Sequence, residues 1–294
     1  MTKRIIEVAE RAARLWLENR LLVVRDPDGG EHRVPIGEIE CVLLGTPAVS
    51  VTGALLAALA EAGVMVVISG ADRLPVGMQL PLASHYLQNE RFREQASASL
   101  PLCKRLWQSV VAAKIRSQAR LLRELRGEDG GLIALAGRVR SGDPDNLEGR
   151  AAVLYWKQLF GRPFLRIREA GDSNVLLNYG YAVLRAMTAR ALCGAGLHPT
   201  LGIHHRNRYN AYCLADDLME PYRCRVDRIV VLLNPENAPV SGISQEQRRR
   251  LLLGLLEPVK WHGEQHELPE LLTIHARQLA ASFTEKKNLL EFDG

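Results

Sequence analysis

Hydrophobic residues alternate with polar ones through the first eighty positions, in short runs separated by turn residues. This period of two is typical of strands with one buried face. It predicts a short strand over residues 5–8, one or two strands over 14–24 that would divide at Glu18-Asn19, and renewed strand character over 32–44. The turn sequence Asp26-Pro27-Asp28-Gly29-Gly30 predicts a hairpin between the second and third of these runs.

The remainder of this region adds one helix and one strand. Residues 50–62 predict a short helix that ends at Gly63, and the apolar run over 64–69 has the length of a buried strand. Together these elements indicate a small, sandwich-like β domain over residues 1–80.

The hydrophobic period becomes that of a helix after Pro81, and strand patterns almost vanish. Ser244 and Gln247 form a capping-box pattern for a helix that runs through Leu256, and the Gly-rich segment 127–146 is expected to join helices. Further helices are predicted over residues 85–95, 100–126, 148–160, 173–195, 217–233 and 269–290. We therefore predict an α+β fold in which a larger all-α catalytic domain, residues 81–294, follows the small amino-terminal β domain, with the boundary near 78–90.

Composition places the chain among soluble globular proteins, with 294 residues of which 47% are hydrophobic. The five cysteines are odd in number, widely spaced and without a CxxC pair, which argues against a disulfide framework or a zinc ribbon. No segment resembles a signal peptide, and no run approaches the roughly 18 apolar residues of a membrane span. The sequence therefore predicts a cytoplasmic protein that does not bind membranes.

Positive charge is concentrated in the middle of the chain. Residues 91–168 carry sixteen Lys and Arg against seven Asp and Glu, a net charge of +9, whereas the whole chain carries only +5. Such a segment can form a face that binds the phosphates of a nucleic acid. The alternative is a set of ordinary solvated helix faces, and charge alone does not separate the two.

Candidate chemistry is densest in residues 196–227. This stretch combines imidazole, carboxylate and guanidinium groups, which suits a site where a divalent metal meets a phosphate. The alternative is a basic loop that leads into a capped helix. The residues concerned are His198, His204, His205, Asp216, Asp217, Glu220, Arg206, Arg208, Arg223 and Arg225.

Several of these groups have a simpler structural interpretation. Asp145-x-x-Glu148 and Asp217-x-x-Glu220 both resemble capping boxes, so either glutamate could serve a helix end rather than a metal. The adjacent His204 and His205 are expected to point in different directions, so at most one would be a ligand. The chain lacks HExxH, GxxxxGK[ST] and GxSxG motifs, which leaves metal–phosphate chemistry as the best enzymatic candidate.

Four motifs resemble the CRISPR-associated integrase, the universal nuclease-like subunit of spacer acquisition. They are Asn178-Tyr179-Gly180-Tyr181, Gly196-Leu197-His198-Pro199 with Gly202-Ile203-His204-His205, Asp217-Leu218-Met219-Glu220-Pro221-Tyr222-Arg223, and the upstream Asn146-Leu147-Glu148-Gly149-Arg150-Ala151. The resemblance spans the chain and is greatest to the versions that accompany single-effector (type II) systems. Cys224, where the family commonly has proline, is the one departure.

This resemblance implies a ligand set. Glu148, His205 and Glu220 would hold one divalent ion, Mg²⁺ or Mn²⁺, with Asp217 as an auxiliary acid beside them. Arg223 would hold a phosphate or orient Glu220. His204 would be structural or DNA-facing, and the basic helices, represented by Arg116, Arg120 and Arg123, would carry the DNA backbone.

The resemblance also implies an activity and partners. The 3′-hydroxyl of a short captured DNA would attack a phosphodiester at the edge of a CRISPR repeat, in a prokaryotic cytoplasm. The β domain would pair two copies into a homodimer, which would bind double-stranded DNA and a small ferredoxin-like adaptation subunit. Two alternatives are a DNA-binding scaffold with a decayed site and a metallo-phosphoesterase that acts on small molecules.

Overall fold

The computed structural model describes residues 4–9, 11–70, 75–81, 83–161 and 164–292. The chain divides into two compact units, Met1–Tyr86 and Leu87–Gly294. The first is built mainly of strands and the second mainly of helices, so the predicted α+β fold is confirmed.

The first unit contains two four-stranded sheets. One has the order β1-β5-β7-β8, in which β1, β5 and β7 are parallel and β8 is antiparallel to β7. The other has the order β4-β3-β2-β6, with β2, β3 and β4 antiparallel and β6 parallel to β2. The strands are β1 Arg4–Val8, β2 Ala13–Glu18, β3 Leu21–Arg25, β4 Glu31–Pro35, β5 Ile39–Leu44, β6 Val49–Val51, β7 Met65–Ser69 and β8 Pro75–Gln79.

Turn chemistry explains how these strands follow one another. The run over 14–24 is two strands, joined at Asn19 (φ 50°) and Arg20 (φ 63°), whose left-handed backbone is what a tight hairpin turn requires. The predicted hairpin at 26–30 is confirmed, because β3 pairs with β4 and Asp26 Oδ1 accepts hydrogen bonds from the amides of Asp28 and Gly30. A 3₁₀ turn at Ile36–Glu38 interrupts the predicted run 32–44, and the chain crosses there from one sheet to the other.

Both sheets contribute to one hydrophobic core, which gives the unit its sandwich-like character. Val42 and Val66 belong to the first sheet and Leu15 and Leu22 to the second, and all four are buried in the same cluster. Leu55 joins them from helix α1 (Gly53–Glu61), which Thr52 caps through its side chain.

The second unit is a helical assembly around the long helix α3. This helix, Leu100–Arg126, has the predicted bounds, and the predicted capping box of α9 is present, since Ser244 Oγ and the Gln247 side chain each accept a backbone N–H of the other. The helices are α2 Gln88–Ala96, α3, α4 Leu132–Ala136, α5 Leu147–Leu159, α6 Ser173–Gly194, α7 Cys213–Met219, α8 Arg223–Leu233, α9 Gln245–Leu256 and α10 Leu268–Glu285.

Some predicted bounds are wrong, for local physical reasons. The helix expected over 217–233 is instead α7, a 3₁₀ turn at Glu220–Tyr222 and α8, because Pro221 lacks the N–H that a continuous α-helix would use. Helix α10 ends at Glu285 rather than near 290, since Lys286 adopts a left-handed backbone (φ 55°).

Two elements of the second unit were not predicted. Helix α4 lies within the segment 127–146 that was expected only to connect helices. A short hairpin, β9 Val259–Trp261 and β10 Glu264–His266, lies between α9 and α10, so this unit is mostly rather than entirely helical. Among the described residues, no helix is both long and apolar enough to cross a membrane.

Candidate active site

Two of the predicted ligands, Glu148 and Glu220, converge on a single lysine. Lys114 lies in the buried middle of α3, Glu148 is the second residue of α5, and Glu220 begins the 3₁₀ turn after α7. The Lys114 ammonium is 2.6 Å from Glu148 Oε1 and 2.7 Å from Glu220 Oε2. The side chains of Lys114 and Glu220 are only 11% and 4% exposed. Three elements that are distant in the sequence therefore meet at one buried charge cluster.

The charges of this cluster support one another. Burial disfavours the ammonium of Lys114, but the charges of Glu220 and Glu148 outweigh it and raise the lysine pKa above its ordinary value. Burial likewise disfavours the Glu220 carboxylate, yet Arg223 and Lys114 lower the pKa of Glu220 to about 2. Both groups are consequently charged at neutral pH.

Arg223 holds the other oxygen of Glu220. Its Nε is 2.9 Å from Glu220 Oε1, and its guanidinium lies 4.7 Å from the centre of the Tyr181 ring. A guanidinium over an aromatic face is electrostatically favourable. Arg223 is therefore placed to orient Glu220, one of the two roles expected of it.

The amino terminus of α5 does not need Glu148 as a cap. Asp143 accepts the backbone N–H groups of Leu147 and Glu148, each at 2.9 Å, and Asn146 Oδ1 accepts that of Gly149 at 3.3 Å. Asp145 is bound to Arg140 instead. The capping-box interpretation of Glu148 is therefore wrong, and its side chain is available for Lys114.

Asp217 anchors the histidine loop, which comprises residues 202–205. It is fully buried in α7, where its carboxylate accepts the backbone N–H groups of Ile203, His204 and His205 at 2.7, 3.0 and 3.2 Å. A Cβ at Gly202 would collide with the carbonyl oxygen of His205, so glycine allows the tight path of this loop. Because α7 begins at Cys213, the capping-box interpretation of Asp217 and Glu220 is also wrong.

The same carboxylate orients the ring of His205. Asp217 Oδ1 is 2.5 Å from His205 Nδ1, and this hydrogen bond, against partial burial, raises the pKa of His205 above its ordinary value. With Nδ1 engaged, Nε2 is the nitrogen that could bind a metal or a proton. Glu220 also raises the His205 pKa through its charge. The 39% exposed ring is accessible from outside.

The other two histidines have different surroundings. His204 stacks on Trp107 of α3, with ring centres 4.1 Å apart and planes 2° from parallel, and burial lowers its pKa. The ring planes of His204 and His205 are 86° apart, and the His205 ring also meets Trp107, edge-on with the ring centres 5.6 Å apart. His198 contacts Phe92 of α2 and accepts a hydrogen bond from Gln95 through its carbonyl oxygen.

The donor set fits a divalent cation, although no group of three His, Cys, Asp or Glu side chains among the described residues is arranged as a complete metal site. Lys114 occupies the position between the two carboxylates. Glu220 Oε2 is buried and meets the ammonium as an ion pair, but it lacks a hydrogen bond of good geometry. A partly satisfied buried carboxylate oxygen that faces a positive charge is a suitable ligand for Mg²⁺ or Mn²⁺.

The predicted DNA-contacting arginines lie further along α3. Arg116 is half-buried, whereas Arg120 and Arg123 are exposed and bind Ser117 and Asp129 respectively. Their spacing of four and three residues places them on one side of the helix.

Sequence reasoning missed two members of the site, Lys114 and Trp107. A lysine within the apolar run Val110-Val111-Ala112-Ala113-Lys114-Ile115 was a usable signal, because a charged residue is rarely buried without a partner. Trp107 gave no comparable signal, since a tryptophan in a buried helix face is ordinary.

A buried polar network lies behind Arg223. Asp227 of α8 accepts hydrogen bonds from the hydroxyls of Tyr155 (2.6 Å) and Tyr181. Burial, only partly offset by these bonds, raises the pKa of Asp227 to about 6. Tyr181 therefore connects this network to the guanidinium that holds Glu220.

Comparison with known proteins identifies the family. The family described as CRISPR associated protein Cas1 matches residues 6–247. The CRISPR-associated endonuclease Cas1 of Neisseria meningitidis serogroup C (strain 8013) is 38% identical over 226 residues, which cover 76% of this chain and 74% of that protein.

Two solved structures share the fold, each at 20% sequence identity. A casposase bound to integration product has a TM-score of 0.79 and covers 98% of this chain and 92% of its own. A Cas6-RT-Cas1–Cas2 complex has a TM-score of 0.76 and covers 99% of this chain and 36% of its own. The resemblance predicted from the motifs is thus confirmed: the chain belongs to the Cas1 family of CRISPR-associated proteins.

Proposed function

We propose that the protein is a divalent-metal-dependent DNA endonuclease and integrase that inserts short captured DNA into a CRISPR array. The names of its relatives, an endonuclease and a casposase bound to integration product, support a nuclease or integrase role. The observation that carries the proposal is the convergence of Glu148 and Glu220 on one positive charge, together with a His205 imidazole that Asp217 orients and whose pKa the Glu220 charge raises.

Each residue has a role in this proposal. Glu148, Glu220 and His205 Nε2 would hold Mg²⁺ or Mn²⁺, which when bound would polarise the phosphoryl oxygen and stabilise charge on the attacking or leaving oxygen. Asp217 fixes the tautomer and the orientation of His205 through Nδ1. Arg223 keeps Glu220 ionised and in place.

The reaction is a phosphodiester exchange. A 3′-hydroxyl of the captured DNA loses its proton and forms a new P–O bond, while the bond between phosphorus and the 3′ oxygen of the repeat strand breaks. The leaving 3′ oxygen takes up a proton. One phosphodiester replaces another, so no ATP is needed, in agreement with a sequence that has no P-loop motif. With water as the nucleophile the same site would cut DNA.

The proposal also includes the binding of DNA, of a second copy of the chain and of a small partner protein. The α3 face of Arg116, Arg120 and Arg123, together with His204, would contact the backbone of double-stranded DNA, largely without reading its sequence. The β domain would pair two copies into a homodimer. The likeness to a chain in a Cas6-RT-Cas1–Cas2 complex supports Cas2 as the small ferredoxin-like partner.

A strand-transfer assay tests the proposal. It would combine the purified protein, its small partner, a short duplex with 3′-hydroxyl ends and a plasmid that carries a repeat, in Mg²⁺, Mn²⁺ or EDTA. We expect metal-dependent joining that falls at least about 100-fold in Glu148→Ala, His205→Ala and Glu220→Ala. Glu169→Ala, which alters an exposed glutamate, is the control and should join normally.

A melting curve for each variant separates loss of chemistry from loss of folding. Joining that survives all three substitutions would overturn the ligand assignment. Absence of joining by every version, with DNA binding intact, would instead favour the DNA-binding scaffold.

A further inference from the structure

Lys114 has no part in the mechanism above, although it lies at its centre. Its ammonium contacts Glu148 Oε1 and Glu220 Oε2, the same carboxylates that are proposed to bind the metal. Its neighbours on α3, Val111 and Ile115, are fully buried. The side chain is therefore directed into the site from a buried, apolar stretch of α3, and this position needs an explanation of its own.

Charge neutrality explains why a cation is present there. Glu220 is buried and Glu148 is half-buried, and without cations the two carboxylates would repel each other and lose hydration. Lys114 and Arg223 supply two positive charges to the two carboxylates, so the cluster is neutral before any metal enters. A divalent ion added to these four side chains without any other change would give them and the ion a total charge of +2.

The oxygens of Glu220 are also fully assigned. Oε1 faces Arg223 and Oε2 faces Lys114, so a metal that approaches either oxygen of Glu220 meets a cation already paired with it. Arg223 is held on the face of Tyr181, whereas the lysine has a long flexible stem. Lys114 is therefore the group that gives way.

We propose that Lys114 is the resident counter-cation of the site and that it competes with the divalent metal for Glu148 and Glu220. Metal binding is then an exchange of cations, and the lysine keeps the two carboxylates together while no metal is bound. The inference rests on the proposed function in one respect, because it takes Glu148 and Glu220 as metal ligands.

Direct measurement of Mn²⁺ binding tests this inference without recourse to activity. Free Mn²⁺ would be followed by electron paramagnetic resonance during titration of the full-length protein. Lys114→Met is expected to bind Mn²⁺ at least about tenfold more tightly than the wild type, because no ion pair has to be broken first. Lys104→Met, which removes an exposed lysine from the same helix, should leave the affinity unchanged.

Lys114→Gln is a second variant in case Lys114→Met does not fold. Its neutral amide can still donate a hydrogen bond to a carboxylate. Mn²⁺ should raise the melting temperature of this variant more than that of the wild type. Equal or weaker Mn²⁺ binding by a folded Lys114 variant would overturn the competition.

The paired substitution Glu148→Gln with Glu220→Gln separates the two proposals. If the wild type binds Mn²⁺, this double variant does not, and the Lys114 variants bind no more tightly, only the lysine inference fails. If the double variant binds Mn²⁺ as well as the wild type does, both proposals fail.

Discussion

At the scale of single residues, the site depends on carboxylates that each serve several donors. Asp217 accepts three backbone N–H groups and the ring of His205, so one buried side chain sets both the path of a loop and the state of an imidazole. Glu220 divides its two oxygens between two cations. Replacing such a carboxylate by its amide is therefore expected to change both the free energy of unfolding and the pKa of the groups it binds.

Asp217→Asn should lower the pKa of His205, because the hydrogen bond that the ring donates to the Asp217 carboxylate is the main cause that raises it. It should also reduce the free energy of unfolding by about 1–3 kcal/mol, since an amide cannot accept all of the buried donors. An NMR titration of the histidine and urea denaturation would measure the two effects.

The neighbouring substitution Asp216→Asn is the control. Asp216 is also buried, but it binds Arg185 and affects His205 only weakly through its charge. A His205 pKa that falls equally in both variants would contradict the specific role of Asp217.

The raised pKa of Asp227 predicts that the stability of the protein depends on pH. Its folded-state pKa of about 6 exceeds the ordinary value of 3.8, so between about pH 4 and 6 the unfolded chain releases a proton that the folded protein retains. This group therefore removes stability as the pH rises through that window. Relative to Asp227→Asn, the wild type should lose about 2–3 kcal/mol of unfolding free energy between pH 4 and 7.

Chemical denaturation at several pH values would measure this difference. Asp145→Asn, which removes an exposed carboxylate elsewhere in the chain, controls for the loss of one negative charge. A difference between Asp227→Asn and the wild type that stays flat across the window would contradict the raised pKa.

Sequence motifs led to Glu148 and Glu220 but not to the lysine between them. The motifs contain Glu148 and Glu220 with their immediate neighbours, whereas the contacts of Lys114 exist only after α3, α5 and the 3₁₀ turn have packed together. The capping interpretations failed for the same reason. The partners of Asp217 lie in a loop that precedes its helix by several residues.

At the scale of elements, α3 connects the proposed chemistry with the proposed DNA surface. Trp107 and Lys114 face the site, and Arg116, Arg120 and Arg123 follow along the same helix. The period of its hydrophobic residues was enough to predict both ends of this helix from the sequence. The break at Pro221 was missed, because apolar periodicity continues through residues 217–233 and outweighed a single proline.

Reversing the charges of Arg116, Arg120 and Arg123 to Glu should weaken binding of double-stranded DNA at least about tenfold at physiological salt. It should also reduce the dependence of the affinity on salt, because fewer phosphates are neutralised. Fluorescence anisotropy at several salt concentrations would measure both quantities.

Reversal of Arg249, Arg250 and Arg277, on α9 and α10, controls for the change of net charge. Equal losses in the two triple variants would argue against a specific DNA face on α3. Hydrolysis of small phosphodiesters by the first variant at the wild-type rate, without any loss of DNA binding, would favour the small-molecule phosphoesterase.

At the scale of the whole molecule, composition and periodicity were sufficient to predict that a part made of strands precedes a part made of helices. The order and direction of the strands in each sheet could not be predicted from composition and periodicity. The parallel strands β1, β5 and β7 are brought together by connections whose paths depend on packing against the shared core. The β9–β10 hairpin was missed because strands of three residues are too short for a period to be recognised.

The spacing of Trp107 and Lys114 on α3 has a consequence for how such proteins can change over evolution. Seven residues are about two helical turns, so the two side chains share a face and present the histidine loop and the carboxylates at a fixed separation. Insertion or deletion of one residue between them would rotate one against the other by about 100°. A change of length within residues 107–114 should therefore disrupt the site, whereas substitutions between Trp107 and Lys114 leave their spacing unchanged.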